Sequence, residues 1–419
     1  MRGESHVMSE LATRLLCVEP NNLVERPWGG DWIKAFKGVA SEDTQALPVR
    51  WGEAFEISAF DLDNEAARFP SSLRFDDDSR VNLPTLLEAQ GKALLGEAFV
   101  GRHGACFPLL PKTLDVKELL SVQGHPAGHT EVYVIIEAEP GATLRLGFNR
   151  DIDADELSST LVRGIERQGE FLGLLGAESN ATDVQLMVAP WFADRAVDVA
   201  ALSHWLEKTA SNRADHAAAL LVELKALYWQ VLDSMNEIEV RPGQVIYNAT
   251  PERLVSDSGR AASAEVHALG NPAGLEILAL EIRRPGPTFR AWDNVRFPQR
   301  DVDAAAAIGA LNLCATRPEE FIAQRQPIPD RDGASVSVDC EYFRVEHLMP
   351  DSARAIDVPA SEPHSLHCLV GAIEVSANDG RVIGSLKRGE SALVPAGVCA
   401  YRVRAESPAE VVRVSLPEN

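Results

Sequence analysis

The strongest constraint on the fold of this chain is a strand-turn-strand segment that carries three polar side chains. Gln123 and His125 directly follow the apolar run Leu119–Val122, and Glu131 opens the strand-like run Val132–Ile136 after a short turn. Because residues i and i+2 of a strand point to one face, Gln123 and His125 can reach the same point. A hairpin places Glu131 across from them, so the segment predicts antiparallel strands and a shared polar site.

The ligand types of this site predict a bound metal. A fourth donor, His267, lies far downstream on another strand-like segment. Two imidazoles, an amide and a carboxylate suit a borderline cation, with zinc as the first choice. We therefore predict one divalent metal per chain, held by Gln123, His125, Glu131 and His267.

Hydrophobic periodicity divides the chain into strand-rich and helical parts. Short β-rich runs bounded by Gly, Pro and Asp fill residues 20–150, with the spacing of an antiparallel barrel or jelly roll. Residues 151–239 change to a helical pattern with an apolar stripe at steps of three and four, which we interpret as core and not as a cofactor site. Strand character then returns, a short helix is predicted over 301–313, and 323–333 is typical of a linker.

Composition limits the classes of partner. The 419 residues suffice for two or three domains, and the net charge of −22 argues against nucleic acid or an anionic membrane surface as a partner. We find neither an apolar run near the roughly 20 residues that span a bilayer nor a secretory signal. The six cysteines are scattered singly, which predicts reduced thiols and a cytoplasmic location.

Six motifs, in a fixed order, give the chain a resemblance to a known enzyme family. They are Arg26-Pro-Trp-Gly-Gly30, Gly52-Glu-Ala-Phe-Glu-Ile-Ser58, Phe107-Pro-Leu-Leu-Pro-Lys112, Leu120-Ser-Val-Gln-Gly-His-Pro126, Val266-His-Ala-Leu-Gly270 and Phe289-Arg-Ala-Trp-Asp293. Over most of residues 20–303, and more weakly to the C-terminus, the chain resembles type I mannose-6-phosphate isomerases, which are zinc-dependent cupin enzymes. The resemblance implies the same four zinc ligands that the residue types suggest.

The resemblance also implies a fold and a reaction. The chain would be mainly β with a helical insert and two cupin units, each a jelly-roll β-barrel, of which the N-terminal one binds metal. Residues 1–150 and 240–322 would form the catalytic cupin domain, 151–239 the helical insert, and 334–419 a metal-free cupin domain. The implied reaction interconverts mannose 6-phosphate and fructose 6-phosphate through a cis-enediol. The implied protein is a monomer or small homo-oligomer that binds a small-molecule sugar phosphate.

Resemblance to the family's active-site segments points to further site residues. Arg290, His129 and Glu281 are candidates for catalysis, and Lys112, Arg290 and Arg283 for substrate binding. Each has a simpler interpretation: Arg290 as a surface arginine, His129 as a group behind the ligands, Glu281 on an edge strand, and Lys112 reaching out to solvent.

Two departures from the family keep alternative functions open. His129 stands where the family usually has lysine, although an imidazole near neutrality can still carry a proton. The segment Arg283–Thr288 replaces a Ser-Asp sequence of many members, so a sugar contact is absent. The alternatives are an isomerase of another sugar or sugar phosphate and a non-catalytic sugar-binding cupin.

The C-terminal unit lacks one expected metal ligand. Ala400 stands where active cupins often have a histidine after Pro-x-Gly. His364 and His367 are an alternative ligand pair there, but the simpler interpretation is that both are solvated loop residues. We therefore predict that this unit packs against or caps the catalytic barrel without binding metal.

Overall fold

The structure is a computed structural model that describes residues 11–20, 22–40, 50–59, 69–75, 79–175, 180–258 and 261–417. Helix and strand contents are nearly equal, at 30% and 32%, so the chain is a mixed protein instead of the mainly β protein that the sequence pattern predicted. Within the described residues, no helix is both long and apolar enough to cross a bilayer. No disulfide links the six cysteines, all of which lie in the described ranges.

Strands alternate with short helices in the first part of the chain. Its elements are β1 (Leu16–Cys17), β2 (Leu23–Gly30), α1 (Ile33–Lys37), β3 (Trp51–Phe55), β4 (Ser72–Arg74), β5 (Arg80–Asn82), α2 (Leu83–Leu95), α3 (Glu97–His103), β6 (Lys112–Val116), β7 (Val122–Gly124), β8 (Glu131–Ala138) and β9 (Thr143–Phe148). The strand pattern predicted none of these helices. A local signal for α2 was present, because the Asn82 side chain accepts a hydrogen bond from Thr85 N at 3.3 Å and Pro84 occupies the first turn.

The predicted helical segment forms, with different ends. Its helices are α4 (Ala154–Leu174), α5 (Ala181–Ala193), α6 (Ser203–Ala210) and α7 (Ala214–Asp233). Asp153 caps α4 by accepting from Glu156 N at 2.9 Å, and the apolar stripe of α7 is buried, as its spacing indicated. The last helix stops at Asp233 and not at 239, because residues 235–239 join a sheet.

The remainder of the chain is mainly strand. Its elements are β10 (Met235–Glu239), β11 (Val245–Asn248), α8 (Glu252–Ser258), β12 (His267–Ala268), β13 (Ile277–Arg283), β14 (Phe289–Trp292), α9 (Ala304–Ala310), β15 (Ile322–Ala323), β16 (Gln326–Pro327), β17 (Ala334–Asp339), β18 (Arg344–Leu348), β19 (Ile356–Pro359), β20 (His364–Val370), β21 (Ala372–Ala377), β22 (Val382–Lys387), β23 (Ser391–Val394), β24 (Ala400–Arg404) and β25 (Glu410–Ser415). The helix predicted over 301–313 forms as the shorter α9.

The described strands pair into antiparallel sheets, none of which closes into a barrel in these ranges. A five-stranded sheet has the order β10-β9-β12-β7-β14, and a seven-stranded sheet has the order β15-β11-β8-β13-β6-β2-β3. C-terminal strands form a second seven-stranded sheet, β1-β23-β20-β25-β18-β17-β16, and a four-stranded sheet, β19-β24-β21-β22. The first strand of the chain thus belongs to a C-terminal sheet, since Leu16 pairs with Leu393.

Candidate metal centre

The two N-terminal sheets bring the predicted ligands together. Gln123 on β7 is paired with His267 on β12 in the five-stranded sheet, and His125 follows directly after β7. Glu131 begins β8 in the seven-stranded sheet, so the hairpin predicted between β7 and β8 does not form and the two strands lie in different sheets. His125, Glu131 and His267 each offer one ligand atom within 4.8 Å of the others, and all three side chains are buried. These three residues are called the ligand cluster below.

Distances within the ligand cluster are short. His125 Nε2 lies 2.9 Å from Glu131 Oε1, and His267 Nε2 lies 3.3 Å from Glu131 Oε2. The Gln123 side-chain nitrogen is 2.9 Å from His267 Nε2, and its oxygen accepts from Ser121 Oγ at 3.0 Å. Amide oxygen and nitrogen are assigned from such contacts. Gln123 would present its oxygen to a metal only after the amide turns over.

Backbone carbonyls fix the tautomers of both histidines. His125 Nδ1 lies 2.9 Å from Pro287 O, and His267 Nδ1 lies 2.8 Å from Glu265 O. A carbonyl oxygen can only accept, so each Nδ1 carries a proton, and Nε2 is the ring nitrogen that faces Glu131. Metal-binding histidines use the same arrangement, donating from one nitrogen to the protein and ligating with the other.

The electrostatics of the cluster favour an ionised Glu131 carboxylate. Burial raises the pKa of Glu131, but His125, His267 and Arg283 outweigh burial and hold this pKa well below its ordinary value. Burial lowers the pKa of His267 to about 4, although the Glu131 charge raises it. The Tyr133 hydroxyl also donates to Glu131 Oε2. These donors fit a divalent cation, because two imidazole nitrogens and one carboxylate lie within 4.8 Å of one another.

Arg283 lies against the ligand cluster itself. It is paired with Glu131 across β13 and β8, and its Nη1 is 3.1 Å from Glu131 Oε1. The same Nη1 lies 3.4 Å from His125 Nε2. The sequence pointed to Arg283 as a substrate-binding residue, but it gave no sign that the guanidinium would contact two predicted ligands.

A buried row of charges continues from the cluster along the seven-stranded sheet. Lys112 Nζ lies 2.7 Å from Glu281 Oε2 and 3.3 Å from Glu53 Oε1, with only 7% of the lysine side chain exposed. Lys112 therefore does not reach out to solvent. Glu281 is not on an edge strand either, since β13 lies between β6 and β8. Burial raises the pKa of Glu281, which the Lys112 ammonium only partly offsets.

The other two predicted site residues lie at the periphery. Arg290 is paired with Gln123, and it donates to Ser121 Oγ at 3.3 Å and to Asp301 O at 2.7 Å. His129 is half-buried, and its Nε2 lies 3.3 Å from Pro285 O. This imidazole is thus bound to a loop carbonyl and not to a ligand side chain.

The segment 283–288 differs in sequence from the family that the chain resembles. Its backbone carbonyls form hydrogen bonds with side chains at the site. Pro287 O holds His125, Pro285 O holds His129, and Gly286 O accepts from Arg283 Nη2 at 3.0 Å. A Cβ on Gly286 would lie 2.4 Å from His129 Nε2, so a larger residue here would displace the His129 ring. Sequence reasoning missed this supporting role, because carbonyl groups carry no residue-type signal.

The C-terminal histidines are not solvated loop residues, contrary to expectation. His364 and His367 both lie on β20 and are fully buried. His364 contacts Tyr401 Oη at 2.8 Å, while the two ring nitrogens of His367 contact Ser365 and Ser391 hydroxyls at 2.8 Å. Each histidine is held by its own hydrogen bonds, and their lone pairs do not converge on a carboxylate.

No family model matches the sequence, and no curated protein matches it. Solved structures do resemble the fold. A mannose 6-phosphate isomerase from Bacillus subtilis is 18% identical with a TM-score of 0.61, covering 96% of this chain and 100% of that one. A variant of phosphomannose isomerase from Salmonella typhimurium is 15% identical with a TM-score of 0.61, covering 97% and 100%. A mannose 6-phosphate isomerase bound with zinc and yttrium is 15% identical with a TM-score of 0.60 and the same coverage. At these identities the likeness shows a shared fold.

Proposed function

We propose that this chain is a type I mannose-6-phosphate isomerase, a zinc-dependent enzyme that interconverts mannose 6-phosphate and fructose 6-phosphate through a cis-enediol. One observation carries the proposal: the Nε2 atoms of His125 and His267 converge on the buried carboxylate of Glu131. His125, Glu131 and His267 would hold the zinc, with Gln123 as the fourth ligand. When bound, zinc supplies a Lewis acid that stabilises negative charge on the sugar oxygens.

The charge balance of the interior supports an anionic substrate. Glu53, Glu131 and Glu281 are the carboxylates of the buried row, and the cations that contact them are Arg26, Lys112 and Arg283. These formal charges cancel, so one divalent cation leaves a surplus of two positive charges. That surplus suits a sugar phosphate dianion, in a chain whose overall charge of −22 would otherwise repel it.

Different side chains of this protein would transfer the proton and bind the substrate during isomerisation. The reaction moves a proton between C1 and C2 of the sugar, which needs a group that both accepts and returns it. Glu281 is our first choice because it is buried beside the cluster and has a raised pKa. His129 is the second choice and would have to turn away from Pro285 O. Arg283 and Arg290 would bind phosphate or an enediolate oxygen with their planar forks, and Lys112 would add a point charge.

A neighbouring cavity offers room for the sugar. It has a volume of about 1210 Å³ and is lined by Pro126, Ser263 and Phe289, among others. Pro126 directly follows His125, and Phe289 directly precedes Arg290. The lining does not include the ligand cluster, Glu281 or Arg290, so these neighbours in sequence are what connects the cavity to the proposed site.

We also propose the domain organisation expected from the sequence. Residues 1–150 and 240–322 would form a catalytic cupin domain, 151–239 a helical insert, and 334–419 a metal-free cupin domain. The hydrogen bonds of His364 and His367 support the absence of metal from the last unit. A cytoplasmic location, in keeping with single cysteines, and a monomer or small homo-oligomer remain predictions.

A second candidate function is isomerisation of another sugar or sugar phosphate. It is favoured by His129 at the usual lysine position and by the Arg283–Thr288 segment, whose carbonyls hold two histidines. A sugar-binding protein without catalysis is the third candidate. Turnover of other aldoses, with fructose 6-phosphate absent as a product, would distinguish the second candidate from the first.

Metal analysis combined with a coupled assay for fructose 6-phosphate tests the proposal. We expect one zinc per chain and conversion of mannose 6-phosphate in the unaltered protein, and loss of both in His125→Ala and His267→Ala. His204→Ala, an exposed histidine on α6, is the matched control and should keep both. Full metal content in the two cluster variants would refute the site, and metal without conversion would refute this substrate.

A further inference from the structure

Arg283 makes two kinds of contact, one to the ligand cluster and one to its own loop. Its Nη1 donates to Glu131 Oε1 at 3.1 Å and reaches His125 Nε2 at 3.4 Å. Its Nη2 donates to Gly286 O at 3.0 Å, and Nη1 also lies 3.4 Å from Thr288 Oγ1. The contacts with Gly286 and Thr288 do not involve the ligand cluster. They can therefore keep the guanidinium beside the cluster after its contacts with Glu131 and His125 have broken.

His125 has only one lone pair to give. Its Nδ1 proton is committed to Pro287 O, which leaves Nε2 as the sole acceptor of the ring. Nε2 is the atom that a metal needs, and Arg283 Nη1 donates toward the same atom. A nitrogen that accepts a hydrogen bond cannot ligate a metal at the same time, so the two cations exclude each other at His125.

We propose that Arg283 competes with the metal for the ligand cluster: its guanidinium contacts Glu131 and His125, and it must withdraw from His125 before a metal binds. This inference rests on the proposed metal site. Arg283 is 7% exposed, so water screens its charge poorly, and after withdrawal it still opposes a divalent cation nearby. The arginine therefore lowers the affinity of the cluster for metal. It also provides a cation that can contact an anionic substrate.

Zinc affinity, measured without any sugar, tests the competition. We would titrate the purified proteins against a chromophoric zinc chelator and compare the unaltered chain with Arg283→Gln and Arg283→Lys. Removing the hydrogen bond and the charge should tighten zinc binding about tenfold or more in Arg283→Gln. Arg283→Lys keeps the charge but loses the fork, so we expect a smaller gain. It also serves as the second variant if Arg283→Gln does not fold.

Arg284→Gln is the matched control. It removes the same charge from the adjacent residue, which is exposed, donates to Gly128 O at 3.3 Å and lies over the Tyr342 ring. Its zinc affinity should equal that of the unaltered protein. Tighter binding in the Arg283 variants alone supports the proposal.

The outcomes that contradict the proposal are separable from failure of the metal site. Equal zinc affinity in the unaltered protein and both Arg283 variants would overturn the competition while leaving the site intact. Weaker binding in Arg283→Gln would overturn it too, because that result means the arginine positions Glu131 for the metal. Absence of zinc from every variant would overturn the proposed site, and the competition with it.

Discussion

A proton shared by two buried carboxyl groups is expected to fix the loop that contains Gly30. Asp115 Oδ2 accepts from Trp32 N at 2.8 Å and from Ile33 N at 2.7 Å, while Glu276 Oε1 accepts from Asp31 N at 2.6 Å. A Cβ on Gly30 would lie 2.2 Å from Asp115 Oδ1 and 2.4 Å from Glu276 Oε1, so both oxygens crowd one point. Burial, and then the Glu276 charge, raise the pKa of Asp115 to about 8.

The sign of the pH effect follows from this raised pKa. An unfolded aspartate titrates near 3.9, so between about pH 5 and pH 8 the folded state holds a proton that the unfolded state has lost. The stabilisation is complete at low pH and is lost as pH rises toward 8. Each rise of one pH unit in this window lowers the free energy of unfolding by about 1.4 kcal/mol. The total is about 2.5 kcal/mol between about pH 5.5 and pH 7.5, because the folded-state carboxyl begins to ionise near the upper limit.

Asp115→Asn should remove this pH dependence. The asparagine oxygen can still accept from Trp32 and Ile33, and its amide supplies Glu276 with a permanent donor in place of the shared proton. Hydrogen exchange at the Trp32 and Ile33 amides reports the local opening free energy. We expect protection to fall about 100-fold over this pH window in the unaltered protein and to stay level in the variant.

The surface ion pair beside this loop provides the control. Lys117 Nζ contacts Asp31 Oδ2 at 2.5 Å and Glu276 Oε2 at 3.2 Å, which links Asp31 to the carboxyl pair. Asp31→Asn should therefore leave the pH dependence of protection in place. Parallel loss of protection in the unaltered protein and Asp115→Asn would refute the shared proton.

Three further predictions concern the site and the C-terminal unit. Arg290→Ala should lower kcat/KM for mannose 6-phosphate by roughly 10- to 100-fold. If this arginine holds the phosphate, turnover of unphosphorylated mannose should change much less, and an unchanged value for both sugars would remove it from the site. Lys112→Met should destabilise the protein by about 3–5 kcal/mol, because it leaves the buried Glu281 carboxylate without its contacting ammonium and Glu53 with Arg26 alone. Adding Glu281→Gln should recover part of this loss in thermal melting. An unchanged melting temperature in Lys112→Met would contradict the buried ion pairs. Replacing His364 and His367 with alanine should leave zinc content unchanged, and a loss of zinc would place a metal in the C-terminal unit.

Local patterns in the sequence were sufficient to predict several parts of the structure. The i, i+2 spacing correctly kept Gln123 and His125 close together, because strand geometry is fixed over short distances. The hairpin predicted to bring Glu131 to them does not form, because β7 and β8 lie in different sheets and meet only through the packing of those sheets. The apolar steps of three and four correctly indicated α7. The helices α2 and α3 were missed, since alternating strand signals around them outweighed the capping chemistry at Asn82.

Only the tertiary structure decided how the ligand cluster is completed. The pairing of His267 with Gln123 joins residues 144 positions apart, a register that no local pattern contains. The tautomers of both histidines depend on carbonyls of distant segments, and the contact of Arg283 with Glu131 depends on the alignment of β13 with β8. Residue types and local periodicity thus determined which donors this protein has, whereas their protons, partners and competing cation were decided by long-range strand pairing.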